Sequence, residues 1–245
     1  MIAPAAPRGV AMTRSSEGDT ARRLQTPVPA VAVRALTREF GRVPALRDTN
    51  LDVPAGALAV LTGPAAAGKT TLLCILAGLL PPTRGTARIC GFDTVREQAR
   101  AGRHVGFLPQ SPYFHGWMTG RETLQFAGRG LSRIVPCTGR HAAGLLALAG
   151  LADAADRSVD GYTEGMRRRL GIARALIGWP SVLLLDEPAG SLDPADRRDV
   201  LDLVERLRPG RTVLIATRGP SAGDLHASQR LVLSAGHAAR ECSHV

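Results

Sequence analysis

The segment Gly63-Pro64-Ala65-Ala66-Ala67-Gly68-Lys69-Thr70 constrains this chain more than any other. It has the spacing G-x-x-x-x-G-K-[ST]; the apolar run Ala57 to Leu61 stands before it, and a helical pattern of apolar residues follows. A glycine-rich turn between strand and helix converges backbone N–H groups at a helix N-terminus that already favours negative charge. The ligand this suits is a phosphate. Lys69 can reach β- and γ-phosphates, and Thr70 can place its hydroxyl on Mg²⁺. Composition sharpens the point, because among 31 basic residues the only lysine is Lys69. A chain that uses arginine for every other cation keeps an ammonium where a compact, flexible point charge is needed. The plain alternative, a glycine turn ahead of a buried helix, leaves that lysine unexplained.

Around this loop, short runs rich in Val, Leu and Ile alternate with helical patterns, the rhythm of a parallel sheet with crossover helices. Strands are expected near Val31 to Leu36, Ala57 to Leu61, His104 to Leu108, Val182 to Leu185, Thr212 to Ala216 and Arg230 to Leu233. Asp193-Pro194 supplies an N-cap and a first-turn proline, with Val200, Val204 and Leu207 recurring on one face of the helix that follows. Thr119 and Glu122 have capping-box spacing. Between about 112 and 178 only helical patterns such as His141 to Leu151 and Met166 to Ile177 are found, so this interval reads as a helical insertion.

Val182-Leu-Leu-Leu-Asp186-Glu187 is an apolar strand ending in two carboxylates. Alone it reads as an ordinary strand terminus. Paired with the phosphate loop, Asp186 becomes a candidate on the Mg²⁺ side, and Glu187 a candidate to take a proton from an attacking water. Phe107-Leu-Pro-Gln110 follows the loop, then Tyr162-Thr163-Glu164-Gly165-Met-Arg-Arg-Arg-Leu-Gly-Ile-Ala-Arg174, then Asp186-Glu187-Pro188 and Ser191-Leu-Asp193, with Phe40-Gly41 ahead of them all. In this order they resemble the nucleotide-binding subunit of ATP-binding cassette transporters, over about residues 30 to 240: phosphate loop, glutamine loop, signature segment, second acidic motif and aspartate loop.

The resemblance implies an α/β P-loop NTPase fold of the cassette type, with a helical subdomain at about 112–178 and a small antiparallel β contribution from residues 30 to 60. It implies ATP and Mg²⁺ as cofactors and hydrolysis of ATP coupled to export. Phe40 would stack on adenine. Gly63 to Thr71, including Pro64, Ala65, Ala66, Ala67, Gly68 and Thr71, would hold the phosphates; Thr70, Gln110 and Asp186 would surround Mg²⁺. Thr163 and Gly165 would face the ATP of a second nucleotide-binding subunit, and Glu187 and Arg218 would serve catalysis. A membrane-embedded subunit would dock on the helical insertion and the Gln110 region, which implies a cytoplasmic position at the inner face of the cell membrane. The run Arg167 to Arg169 and the short aspartate loop look most like the exporter branch whose membrane part is a separate polypeptide.

Five positions depart from the family pattern. Ala65 and Ala66 replace Asn and Gly, Thr163 replaces Ser, Glu164 replaces the first glycine of the signature pair, and Arg218 replaces the histidine after the last catalytic strand. If position 66 needs positive φ, alanine there costs about 1 kcal/mol. A carboxylate at 164, brought near a partner's γ-phosphate, must turn away or oppose closure of the dimer. The rival readings are a degenerate regulatory subunit with little hydrolysis and a soluble cassette ATPase outside transport.

Charge and composition add limits. The formal net charge is +10, yet the arginines of the Met166 to Ile177 pattern are expected on its solvated or partner-facing side, so nucleic-acid binding is not the favoured reading. No apolar run reaches the roughly 18 to 20 residues a bilayer needs. Residues 1–29 and 241–245 read as tails, the first disordered and without the features of a secretory signal. Cys74, Cys90, Cys137 and Cys242 show neither zinc nor redox-pair spacing.

Overall fold

All five residues of Val182–Asp186 are buried, as are all six of Thr212–Thr217. An unbroken apolar run stays buried in a strand only when both faces of its sheet are covered. The computed structural model describes residues 28–131, 137–218 and 225–240, so the expected tails lie outside the described residues apart from Val28 and Pro29. In chain order the elements are β1 (Val31–Phe40), β2 (Val43–Val53), β3 (Leu58–Thr62), α1 (Lys69–Leu76), β4 (Arg84–Ile89), β5 (Phe92–Asp93), α2 (Gln98–Ala101), β6 (Val105–Leu108), α3 (Gly120–Leu131), α4 (Gly139–Leu148), α5 (Glu164–Ala175), β7 (Val182–Asp186), α6 (Pro194–Leu207), β8 (Thr212–Thr217), β9 (Gln229–Ser234) and β10 (His237–Arg240).

A six-stranded sheet has the order β10-β9-β3-β8-β7-β6, and a four-stranded sheet the order β2-β1-β4-β5. In the larger sheet β3 pairs in parallel with β8 and β9, β7 with β8, and β6 with β7; β10 is antiparallel at the edge. Side chains alternate between two cores. Leu58, Val60, Leu183, Leu185, Val213 and Ile215 join the helical region that includes Leu145, Leu170 and Val204. Ala59, Leu61, Val182, Leu184, Leu214 and Ala216 join α1 and the smaller sheet through Leu73, Val33 and Leu46. The period of two along each strand thus divides one apolar run between two layers.

The helices begin where their caps place them. Asp193 accepts from the backbone N–H of Ala195 and of Asp196, both at 2.9 Å, with Pro194 at the first position of α6. Thr119 and Glu122 form the reciprocal pair expected at α3: Thr119 N–H donates to Glu122 Oε2 at 2.8 Å, and Glu122 N–H to Thr119 Oγ1 at 3.1 Å. α5 starts two residues ahead of the expected Met166, because the Thr163 hydroxyl accepts from Met166 N–H at 3.1 Å and caps the turn.

The smaller sheet departs from expectation in extent. It takes in not only residues 30 to 60 but also β4 and β5 at 84 to 93. Arg84–Ile89 reads RGTARI, too polar to announce a strand; its pairing with β1 supplies the reason for its conformation. Register shifts along β1 against both β2 and β4 further blur the alternation a sequence would display.

Candidate active site

Because β3, β6, β7 and β8 run parallel, the loops leaving their carboxyl ends gather at one edge of the sheet, where ligands bind in open α/β folds. These loops carry Gly63 to Lys69, Gln110, Glu187 and Arg218. Tertiary packing moulds the first of them. Gly63 has φ +154° with its α-carbon against the carbonyl of Leu233, and Gly68 has φ +100° against the carbonyl of Ala45, so a β-carbon at either position would strike backbone. Ala66, at φ +61°, takes a left-handed conformation that a β-carbon disfavours. Gly68 opens α1 with no side-chain cap and no acid in the first turn. The first N–H groups of α1 are left to an anion.

Lys69 is 6% exposed. Its Nζ donates to the carbonyls of Gly63 at 2.6 Å and Pro64 at 2.8 Å, folding the ammonium across its own loop. Thr70 donates its hydroxyl to Asp186 Oδ2 at 2.7 Å, joining two segments 116 residues apart. Glu187 is buried and held at φ +49°, a strained conformation for a residue with a β-carbon. Its N–H donates to the Ala216 carbonyl at 2.8 Å, and the Thr217 hydroxyl donates to its Oε2 at 3.3 Å. Oε1 makes no hydrogen bond among the described residues and has only the ion-pair contact with Arg218 Nε at 3.4 Å. Arg218 Nη2 also donates to Gln110 Oε1 at 3.2 Å. Gln110 therefore reaches the site through Arg218 in this structure, its carboxamide engaged by the guanidinium.

Burial pushes the Asp186 carboxyl above its usual pKa, opposed by the Thr70 hydroxyl and the charges of Lys69, Arg218 and Arg168. Burial also pulls the Lys69 ammonium below its usual pKa, with Glu187 and Asp186 opposing and Arg218 adding to the fall. In both groups burial disfavours the charged form in the free protein. For Asp186 the folded state binds its proton more tightly than the unfolded state, so its contribution to stability falls as pH rises from the unfolded pKa through the higher folded one. Asp186→Asn, which keeps an acceptor for Thr70, is expected to raise the melting temperature of the nucleotide-free protein at pH 7 by about 2–4 °C. The gain should shrink toward pH 4. Calorimetric melting of both proteins over that range, without nucleotide, checks this, and a lower melting temperature at pH 7 would contradict it.

The donor set fits the groups the sequence suggested. A backbone cradle with an ammonium suits phosphate, and a hydroxyl beside a carboxylate suits a hard cation such as Mg²⁺, which takes few protein oxygens when phosphate supplies others. No group of three or more His, Cys, Asp or Glu placed to hold a metal occurs among the described residues.

The remaining expected positions divide between the phosphate loop and places apart from it. Phe40 ends β1, half-exposed, with the Arg38 guanidinium 4.7 Å from its ring centroid. Pro64 and Ala65 are exposed at the tip of the loop, while Ala67 is buried and Thr71 partly so. Thr163 caps α5, and Gly165 packs against the Asp196 carboxylate of α6. Among the described residues no hydrogen bond joins either to the phosphate loop; the resemblance assigns them to a second subunit's nucleotide.

The arginines of α5 require a correction. They are not a free solvated face: Arg167 Nη2 donates to the Asp160 carbonyl at 3.2 Å, Arg168 Nη1 to Gln110 at 2.6 Å, Arg169 Nη1 to Gly150 at 3.3 Å and Arg174 Nη1 to Tyr113 at 2.8 Å. Each fastens a loop carbonyl to the helix. Two residues of the site went unread in the sequence. Thr217 resembles any strand threonine until its hydroxyl meets Glu187, and Arg168 gave only the signal of a partner acid four residues earlier, at Glu164.

The sheet order, phosphate loop and paired acids define a P-loop nucleoside-triphosphate-binding protein. The chain belongs to the ABC transporter family, whose model matches residues 46–190. Over 189 residues it is 40% identical to an uncharacterized ABC transporter ATP-binding protein, YxlF of Bacillus subtilis (strain 168), covering 76% of this chain and 62% of that protein. Over 216 residues it is 36% identical to the daunorubicin/doxorubicin resistance ATP-binding protein DrrA of Streptomyces peucetius, covering 88% of this chain and 66% of that one. The chain thus spans somewhat under two thirds of the length of both relatives. Among solved structures it is similar to the dimeric, post-hydrolysis state of the ATP-binding cassette MJ0796 bound to ADP and Pi, with TM-score 0.76 and 25% identity over 86% of this chain and 97% of the other.

Proposed function

We propose that this chain binds MgATP and hydrolyses it to ADP and phosphate, driving export through a separate membrane-embedded subunit. The observation that carries the reading is the 2.7 Å hydrogen bond from Thr70 to Asp186, beside the sole lysine of the chain folded into a glycine-built cradle. The loop Gly63 to Thr71 holds the phosphates through the backbone N–H groups of its residues other than Pro64 and through Lys69. Thr70 and Asp186, joined by Gln110, hold Mg²⁺, which when bound supplies charge neutralisation to the phosphates. Glu187 orients the attacking water and accepts its proton; Arg218 bears on the terminal phosphate as a fixed cation. Phe40 stacks on adenine. Thr163 and Gly165 serve the nucleotide of a second subunit, which the dimeric relative MJ0796 makes the natural partner.

In this reading residues 30–240 act as the cassette, and the helical stretch at about 112–178 meets the membrane subunit at the inner face of the cell membrane. Tyr113 and Trp117 are 75% and 72% exposed, Phe126 is exposed beside them, and His115 lies within 6 Å of all three rings. Such a patch, three residues beyond Gln110, is suited to a protein contact. No helix among the described residues is long and apolar enough to cross a membrane. The name of DrrA supports small-molecule export as the transported class.

A second reading has one observation in its favour. Glu187 faces Arg218 at 3.4 Å, which suits a regulatory subunit that holds ATP and hydrolyses it slowly. Purification from detergent-solubilised membranes, followed by ATPase assay with and without the copurified membrane protein, separates the two. Export predicts a membrane partner and hydrolysis several-fold faster with it. A partner without hydrolysis supports the regulatory reading, and hydrolysis without any membrane partner supports a soluble ATPase.

A further inference from the structure

Arg168 is 5% exposed, and burying a guanidinium costs several kcal/mol unless its surroundings compensate. Its Nη1 donates to the backbone carbonyl of Gln110 at 2.6 Å and its Nη2 to Glu164 Oε1 at 3.3 Å. Glu164 stands at the first position of α5 with its side chain 56% exposed, directed to its own helix. Gln110 in turn accepts from Arg218 through Oε1, and Arg218 reaches Glu187. The sequence of groups is acid, guanidinium, amide, guanidinium, acid. It runs without a break from the start of α5 to the end of β7. Gln110 itself sits in a stretch, 109 to 118, with no helix or strand to fix it.

We infer that Arg168 is a positioning residue for the hydrolytic site: it fixes the backbone of Gln110, through the carboxamide of Gln110 it sets Arg218 against Glu187, and Glu164 supplies its countercharge. The inference rests on the nucleotide-binding reading above. It places Glu164 and Arg218, the two charged departures from the family pattern, in one network. Arg218 is shared between a neutral amide oxygen and a carboxylate at 3.4 Å, neither of them a short charge-assisted contact. A terminal phosphate is a stronger acceptor for the same guanidinium. ATP places a γ-phosphate there and ADP does not, so preference for ATP over ADP depends on Arg218 directly and on Arg168 by way of Gln110.

The test is displacement of a fluorescent nucleotide by MgATP and MgADP from the full chain, comparing the wild type with Arg168→Met, Arg168→Lys, Arg218→Ala and the Arg168→Met/Arg218→Ala double variant. Arg168→Met and Arg218→Ala are each expected to reduce the ATP-over-ADP preference about fivefold with ADP affinity kept, and the double variant to lose no more than either alone. Arg168→Lys, which can still donate to the Gln110 carbonyl, should retain most of the preference. Glu164→Gln, at an exposed position, should lower it about twofold and serves if Arg168→Met does not fold. Additive losses in the double variant, equal losses for both nucleotides, or a wild type that binds both equally would overturn the positioning role. If Lys69→Ala leaves both affinities intact, the nucleotide reading itself fails; if Lys69→Ala abolishes binding while the Arg168 and Arg218 effects add, only the positioning role falls.

Discussion

Lys69→Ala is expected to lower MgATP affinity about 100-fold, because charge-assisted contacts to phosphate are worth about 1.5–3 kcal/mol and no second lysine exists to substitute. Lys69→Arg should fare little better. The ammonium is enclosed by two carbonyls at 2.6 and 2.8 Å, at 6% exposure, and a planar guanidinium does not fit where a compact point charge is so enclosed. Since burial disfavours the charged lysine in the free protein, the alanine variant should remain folded. Titration calorimetry with MgATP, with a melting curve as control, reads both quantities. Affinity within threefold of wild type in both variants would remove the phosphate-binding assignment from this loop.

Glu187→Gln is expected to keep MgATP binding and to slow hydrolysis about 100-fold or more, the range over which a positioned general base acts. Glutamine preserves shape and can still accept from Thr217. It loses the charge that faces Arg218 and the capacity to take a proton. Single-turnover phosphate release with protein in excess measures the chemical step directly, and size-exclusion with ATP should show the variant retained as a dimer. An unchanged rate would place the base elsewhere. A wild-type rate already at background would instead favour the regulatory reading, in which the Glu187–Arg218 contact is the resting arrangement of a subunit that seldom turns over.

Much of this architecture could be read directly. β3, β7 and β8 are apolar runs suited to a doubly covered strand, and these and β6 lie within one or two residues of their expected bounds. The caps of α3 and α6 depend on residues three or fewer apart, so Thr119, Glu122 and Asp193 announce them locally. β4 was hidden for the converse reason. Its residues are mostly polar, and its conformation comes from hydrogen bonds to β1, some 55 residues earlier in the chain. In α5 the apolar face was legible but the destination of the arginines was not. A guanidinium on a helix looks solvated until the carbonyl it will meet is known.

The chemistry on offer is written in local spacing: a phosphate cradle with one lysine, a hydroxyl next to it, and two acids at the end of a strand. The glycine spacing and the apolar run are local requirements, satisfied by neighbours along the chain. How those groups meet depends instead on packing between distant segments. Parallel pairing of β3, β7 and β8 brings Thr70 to Asp186 and Arg218 to Glu187, and packing against the carbonyls of Leu233 and Ala45 holds Gly63 and Gly68 in conformations that a side chain would forbid. The link from Arg168 through Gln110 to Arg218 is of the same kind. Each bond in it spans at least 58 residues of sequence, and a contact at that separation is set by the register of the sheet and the seat of the helices upon it, which no local pattern encodes.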